Sequence, residues 1–264
     1  MTSVFFLFLV HLSVGVLATL PLVTDRAGSF FKFCSASAAF MSTAGLWLLW
    51  RRYGASGSED ALGGDRYPLV LAVTLAFILL TVVYNRALHF GWDRARRPLL
   101  YGSLAAGLAS VAVSTPAAHR GLALAADLTS VVLLGAAASA MVLGHWYLVV
   151  LDLPISALRR LTVLLGAGLL LRAVAVGLAF FLAAGAWEGA REVALGLWSP
   201  DGVFVWMRLL FGILGPLSLL WFIWKTVEIR STQSATGILY VQLFLVLSGE
   251  LLAKYLRVAA GVPL

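Results

Sequence analysis

Charged residues are scarce in this sequence: 12% of its 264 residues are Asp, Glu, Lys or Arg, whereas 61% are hydrophobic. A soluble domain of this length does not need so much apolar surface. Cys34 is the single cysteine, which excludes an internal disulfide and a metal cluster held by cysteines. Any metal or haem would depend on the four histidines, which are His11, His89, His119 and His145.

Motifs of several enzyme classes are missing as well. The sequence has no Walker loop, no Gly-x-Gly-x-x-Gly fingerprint and no His-Glu-x-x-His pair, and it lacks the Gly-x-Ser-x-Gly of serine hydrolases. No acid recurs at matching places in two halves, as inverted repeats of a transporter would suggest. The net charge of +7 does not indicate nucleic-acid binding, because Lys and Arg of membrane proteins collect at loop ends and meet anionic headgroups.

Hydropathy and helix breakers divide the chain into eight apolar segments. Each is close to the length of about 20 residues that crosses the hydrocarbon layer as a helix. The segments cover roughly 3–23, 34–50, 68–88, 99–115, 127–151, 161–184, 203–224 and 236–256. We therefore predict an all-α polytopic membrane bundle of about eight helices, with residues 1–264 as one transmembrane domain in a bacterial inner membrane. The first segment lacks a basic n-region, so we interpret it as a retained helix rather than a signal peptide.

Lys and Arg are divided unevenly between the two sets of connections. The set after the odd-numbered segments holds Arg26, Lys32, Arg86, Arg94, Arg96, Arg97, Arg159, Arg160, Lys225 and Arg230. The opposite set holds Arg51, Arg52, Arg66, Arg120, Arg191 and Arg257. Because positive charge favours the cytoplasmic side, this division predicts that both termini lie outside.

Ionisable residues inside the apolar segments are the main indication of function, because a charge in hydrocarbon is costly unless it is paired or hydrated. The topology places five of them in the outer half of the membrane: His11, Asp127, Arg208, Glu250 and Lys254. Glu250 and Lys254 lie one helical turn apart and share a helix face. They form either an internal ion pair or part of a functional site. Similarly, His11 is either a donor between helices or a ligand, and Arg208 is either an interfacial anchor or a ligand.

A second polar group, His145-Trp146-Tyr147, lies near the inner end of the fifth segment. Aromatic anchors are common at that depth, but His145 and Tyr147 are also candidates for cofactor contact. A b-type haem needs two imidazoles at similar depth, or one imidazole and a weaker ligand. His11 and His145 are predicted in opposite leaflets, which disfavours a haem between them and leaves haem b on one histidine open.

The polar groups of the outer half match the requirements of a quinone site. Such a site needs a donor that holds a carbonyl oxygen and a carboxylate or imidazole that exchanges protons. His11, Arg208, Glu250 and Lys254 supply these groups. We therefore predict them as quinone contacts.

The last two segments resemble a known family of membrane anchors. Leu245-Val-Leu-Ser-Gly-Glu-Leu-Leu-Ala-Lys-Tyr-Leu resembles the last helix of the DmsC type, where Gly-Glu-Leu-Leu precedes a basic residue, Tyr and Leu. Met207-Arg-Leu-Leu-Phe-Gly-Ile-Leu-Gly-Pro-Leu resembles the Arg-then-Gly-rich helix of those proteins, and eight helices with outside termini also match the NrfD-like anchors. The resemblance implies a haem-free, quinol-reactive subunit that passes electrons to an iron–sulfur partner and so to a molybdenum or multihaem enzyme. It carries over to Gly249, Glu250, Lys254, Tyr255 and Arg208.

The leading prediction is therefore a quinone-interacting membrane subunit of a bacterial respiratory complex, which is no enzyme without its partners. One alternative is a membrane cytochrome with haem b on His11 or His145. Another is a small-solute transporter or a membrane assembly factor. The quinone, the partners and the terminal acceptor have no signature in the sequence.

Overall fold

The computed structural model describes residues 1–24, 27–54, 64–115, 120–150, 153–184 and 202–260, and these residues fold into helices. Two short 3-10 turns occur at Leu20–Leu22 and Gly64–Arg66. A π-helical turn at Leu210–Leu214 joins α7 to α8 as one continuous helical stretch. The helices are α1 Thr2–Thr19, α2 Gly28–Tyr53, α3 Tyr67–Phe90, α4 Asp93–Ser114, α5 Arg120–Val149, α6 Ser156–Ala184, α7 Gly202–Leu209, α8 Gly215–Glu228 and α9 Thr232–Ala260.

Seven helical stretches of the described residues are long and apolar enough to cross a membrane. The all-α prediction is thus confirmed for these residues, and the seven stretches agree with a helical membrane bundle. Helices also extend beyond the predicted segments: α2 begins at Gly28 and α9 ends at Ala260. The reason is that hydropathy detects the part of a helix in hydrocarbon, whereas the helix continues into the headgroup region.

α1 is the central helix of the described bundle. Of its apolar window 78% is buried, more than in the other candidate spans, and it contacts α2, α4, α5 and α9. It carries no Asp, Glu, Lys or Arg, but it buries His11 and Ser13 completely. A polar group on α1 is therefore surrounded by other helices rather than by lipid.

α1 and α5 run in the same direction. His11 Nε2, in the middle of α1, lies 3.8 Å from Asp127 Oδ1 in the first third of α5. About two turns further along α1 and three turns further along α5, the side-chain oxygens of Thr19 and Ser139 form a hydrogen bond of 2.5 Å. Three helices, α2, α3 and α4, lie between α1 and α5 along the chain. For α1 and α5 to be parallel, the chain must reverse its direction an even number of times between them.

α4 supplies one of these reversals, since it runs beside α1 in the opposite direction. Its early residue Leu100 lines a cavity with the end of α1, and Gly107 lies against Val14 in the middle of α1. Thr115, the residue after α4, donates a hydrogen bond to Asp127 near the start of α5. α4 therefore traverses the bundle, although it is not among the seven apolar stretches.

The two ends of the bundle differ in charge. Met1, Phe204 and Tyr255 line one groove, so we call this the termini end. Apart from the buried Arg172, Arg208 and Lys254, its described Lys and Arg residues are Arg51, Arg52, Arg66, Arg120 and Arg257. The opposite end, here the basic end, carries Lys32, Arg86, Arg94, Arg96, Arg97, Arg159, Arg160, Lys225 and Arg230.

Pairs of glycines bring helices close together at two places. A Cβ on Gly135 of α5 would collide with the backbone of Gly15 on α1, and a Cβ on Gly249 of α9 would collide with Gly212 in the π-helical turn. Small residues at such contacts let membrane helices approach closely. Short distances between these backbones allow polar side chains on neighbouring turns to meet.

Candidate functional site

One face of α9 carries three ionisable residues of a buried cluster. Glu250 and Lys254 are separated by one turn, and Arg257 follows on the same side. Glu250 is 0% and Lys254 2% exposed, and the side chain of Arg257 is 9% exposed. α9 packs against α1, α5 and the π-helical turn, so these charges point into the bundle and require partners there.

The first carboxylate of the cluster is Asp127 on α5. Lys254 Nζ donates to Asp127 Oδ1 at 3.1 Å, and Arg257 Nη1 donates to the same oxygen. Thr115 Oγ1 donates to Oδ2 at 2.9 Å. His11 Nε2 lies 3.8 Å from Oδ1, which is too far for a hydrogen bond. Asp127 therefore bonds α5 to α9 and to the end of α4, and it lies next to His11 of α1.

The second carboxylate is Glu250. Arg172 of α6 donates from Nε to Oε1 at 2.8 Å and from Nη2 to Oε2 at 3.3 Å. Arg208 of α7 donates from Nη2 to Oε1 at 2.9 Å, and Ser130 of α5 donates to Oε2 at 2.5 Å. Glu250 thus accepts hydrogen bonds from three other helices.

Glu250 and Lys254 do not form the internal ion pair that their spacing allows. Lys254 pairs with Asp127, while Glu250 pairs with the two arginines. The partners come from α5, α6 and α7. These helices are distant from α9 along the chain, so the sequence does not indicate which of them pack against it. The interpretation of Arg208 as an interfacial anchor is also wrong, since this residue is 0% exposed.

The predicted residues of the outer half do come together. His11, Asp127, Arg208, Glu250 and Lys254 are all buried at the termini end of the bundle. Arg172 also belongs to the cluster; it lies within the sixth predicted segment, where the sequence alone identifies no partner for it. Arg257 was assigned to a connection rather than to a helix. The helical spacing indicates that Arg257 belongs to the cluster, because it lies three residues after Lys254 and therefore on the same helix face.

Cations outnumber carboxylates in this part of the described chain. The two carboxylates are Asp127 and Glu250, and the four cations paired with them are Lys254, Arg257, Arg172 and Arg208. An imbalance of charge is costly at low dielectric constant.

Several buried polar atoms of the cluster have no hydrogen-bond partner among the described residues. They include both ring nitrogens of His11 and the Nε and Nη1 atoms of Arg208. An unpaired buried donor loses the free energy of its contact with water. An additional acceptor beside His11 or Arg208 would therefore stabilise the structure.

The π-helical turn Leu210–Leu214 lies directly after Arg208. In this turn the helix is wider than an α-helix, and such turns occur frequently at functional sites. Gly212 of the turn touches Gly249 of α9. The glycine contact holds α7 against α9 at the level where Arg208 meets Glu250.

An apolar groove of about 240 Å³ opens between α1, α7 and α9 at the termini end. Phe204 precedes Arg208 by one turn, and Leu251, Leu252 and Tyr255 flank Glu250 and Lys254 along α9. The remaining lining residues are Met1, Val4 and Phe5. The groove thus places lipid-accessible apolar surface beside the helix turns that carry the cluster.

His145 and Tyr147 lie at the basic end, away from the cluster. Eighteen residues separate His145 from Asp127 on α5, which is about 27 Å of helix. His145 is exposed, and its Nδ1 atom lies 3.2 Å from the hydroxyl oxygen of Tyr240. The hydroxyl of Tyr147 donates to the Pro154 carbonyl at 2.6 Å. His11 and His145 are therefore too far apart to ligate one haem.

Comparison with known proteins identifies no relative of this chain. The sequence matches no protein-family model and no curated protein, and its fold matches no solved structure. Within the described residues, no three His, Cys, Asp or Glu side chains are grouped so that they could hold a metal ion.

Proposed function

We propose that this chain is a quinone-interacting membrane subunit of a bacterial respiratory electron-transfer complex. The observation that carries the proposal is the buried cluster at the termini end. There, unpaired donors of His11 and Arg208 adjoin the ion pairs of Asp127 and Glu250. Ionisable groups inside a membrane bundle are costly and mark functional sites.

The residues of the cluster fit a quinone head group by chemical type. His11 and Arg208 would donate hydrogen bonds to its carbonyl oxygens, since their free donor atoms are buried and unsatisfied among the described residues. Glu250 and Asp127 are the carboxylates near these donors that would exchange protons. A bound quinone would supply coupled electron and proton transfer.

The apolar groove supports the same ligand class. A respiratory quinone carries a long isoprenoid tail that must stay in an apolar environment. The groove beside Phe204 and Leu251 is apolar and belongs to helices that carry the cluster. A ligand with one polar and one apolar end would match this combination of neighbouring surfaces.

The proposal includes eight membrane crossings with both termini outside. The course of α4 beside α1 and the parallel course of α1 and α5 support an eighth crossing. The excess of Lys and Arg at the basic end supports a cytoplasmic location of that end, in the bacterial inner membrane. Iron–sulfur or multihaem subunits are the proposed electron-transfer partners.

Bound quinone is the direct test. We would purify the chain in detergent, extract it with organic solvent and quantify quinone in the wild type and in Arg208→Gln. Arg159→Gln is the matched control, because Arg159 packs over Trp224 at the basic end. We expect quinone in the wild type and the control, and a loss of at least about tenfold in Arg208→Gln, equivalent to one charged hydrogen bond.

Variants that still fold are recognised by their helical circular dichroism and their gel-filtration volume. Absence of quinone from the wild type, together with no thermal shift on adding a short-chain quinone, would contradict the proposal. The complex with its partners should also lose quinol turnover in Glu250→Gln. Full turnover in that variant would exclude Glu250 from the reaction.

Two other outcomes would assign a different function. A b-type band in the reduced-minus-oxidised spectrum would indicate a membrane cytochrome, with His11 as the first ligand to test because both of its ring nitrogens are unpaired. Solute flux into liposomes that contain the purified chain alone would indicate a transporter.

A further inference from the structure

A second cavity lies at the basic end, on the opposite side of the bundle from the cluster. Its volume is about 330 Å³, and it is bounded by the end of α1, α2, α3 and the first turns of α4. Arg96, Arg97, Tyr84 and Tyr101 provide its polar lining. The apolar walls are Leu20, Pro21, Val23, Phe31 and Leu100.

Two arginines line this cavity. The guanidinium of Arg96 stacks 5.3 Å from the centre of the Phe31 ring, which restricts its orientation. Arg97 is exposed at the neighbouring position. A guanidinium has five N–H donors in a planar fork, so Arg96 can bind an anion while keeping other contacts.

The cavity is at the depth of the membrane interface. Exposed aromatic rings of Phe90 and Trp92 mark this level at the connection between α3 and α4, as aromatic residues commonly do at interfaces. Tyr101 is 58% exposed toward the outside of the bundle. The cavity is therefore accessible to a lipid headgroup in the adjoining leaflet.

We propose that this cavity binds the phosphodiester headgroup of an anionic phospholipid. Arginine forks bind phosphate oxygens in a bidentate manner, and basic cavities between membrane helices recognise anionic headgroups. The Tyr101 hydroxyl is a further donor to the headgroup, and Leu20 and Leu100 provide the wall along which the first part of an acyl chain lies. This surface combines charge and apolar area, which favours a lipid over free phosphate.

The test measures thermal stabilisation of the detergent-purified chain by phosphatidylglycerol, phosphatidylcholine or inorganic phosphate. The proposal expects stabilisation by phosphatidylglycerol alone. In the double variant Arg96→Gln, Arg97→Gln, the half-saturating concentration should rise roughly tenfold or more, as expected for the loss of charged hydrogen bonds. Lipid retained after purification, measured by mass spectrometry, should fall in parallel.

Arg94→Gln is the matched control, because Arg94 is an exposed residue of the same helix turn and does not line the cavity. An equal loss in this control would show attraction to general surface charge and would overturn the proposal. Equal stabilisation by phosphatidylcholine or by inorganic phosphate would overturn it as well. If the double variant fails to fold, Arg97→Gln alone serves as the test, since this exposed side chain is replaceable without disturbing the core.

Discussion

Asp127 and Glu250 divide the cations of the buried cluster between them. Asp127 holds Lys254 and Arg257, while Glu250 holds Arg172 and Arg208. The two carboxylates come from α5 and α9, so each ion pair also joins helices that are distant in sequence. The cluster therefore stabilises the packing of the bundle and provides the candidate site at the same place.

Loss of one carboxylate should destabilise the bundle, because two buried cations would lose their partner. For Asp127→Asn we expect a decrease of about 3–5 kcal/mol in the free energy of unfolding. The measurement is thermal or denaturant unfolding in detergent. Glu228→Gln is the control, since Glu228 forms a half-exposed pair with Lys225 and should change stability by less than about 1 kcal/mol. Equal effects of both variants would contradict a buried ion network.

The contact between Gly15 and Gly135 should not tolerate a larger residue. In Gly135→Ala the new Cβ would collide with the backbone of α1, and we expect a loss of about 1–3 kcal/mol from overpacking. Gly102→Ala has open space around the new Cβ and should be neutral or slightly stabilising, because alanine favours a helix. The measurement compares the unfolding curves of the two variants. An unchanged stability of Gly135→Ala would mean that α1 and α5 are further apart.

The parallel course of α1 and α5 can be tested by cross-linking. Thr19 and Ser139 lie within hydrogen-bond distance, so cysteines at both positions in a Cys34→Ala background should form a disulfide on mild oxidation. Thr19→Cys combined with Ser130→Cys is the control, because nine residues shift the second cysteine by about 13.5 Å along α5. Gel mobility with and without reductant reports the bond, and cross-linking of the control pair alone would indicate a different register.

The proposed orientation predicts which cysteines react from outside the cell. Gly121 at the termini end and Gly28 at the basic end are exposed glycines with open space around a new Cβ. In the Cys34→Ala background, Gly121→Cys should react with a membrane-impermeant maleimide in intact cells. Gly28→Cys should react only after permeabilisation. The reverse pattern would place both termini in the cytoplasm.

The sequence alone allowed prediction of the helices and of much of the cluster. Each predicted apolar segment overlaps an observed helix, because hydropathy over one crossing follows directly from the thickness of the hydrocarbon layer. Depth along each helix then brought His11, Asp127 and Glu250 to one level. Rotation about the helix axes and the choice of neighbours were not predictable, since lipid-facing and buried sides are both apolar.

Composition by itself determined that this chain is helical and suited to a membrane, and the scarcity of charge determined where a site should be sought. Only the tertiary structure decided that Lys254 pairs with Asp127 and Glu250 with Arg172 and Arg208. It also left His11 and Arg208 with unpaired donors among the described residues. The physical reason is that a buried charge requires some partner, whereas the identity of the partner depends on which helices approach closely, and glycine contacts such as Gly212 with Gly249 fix that approach.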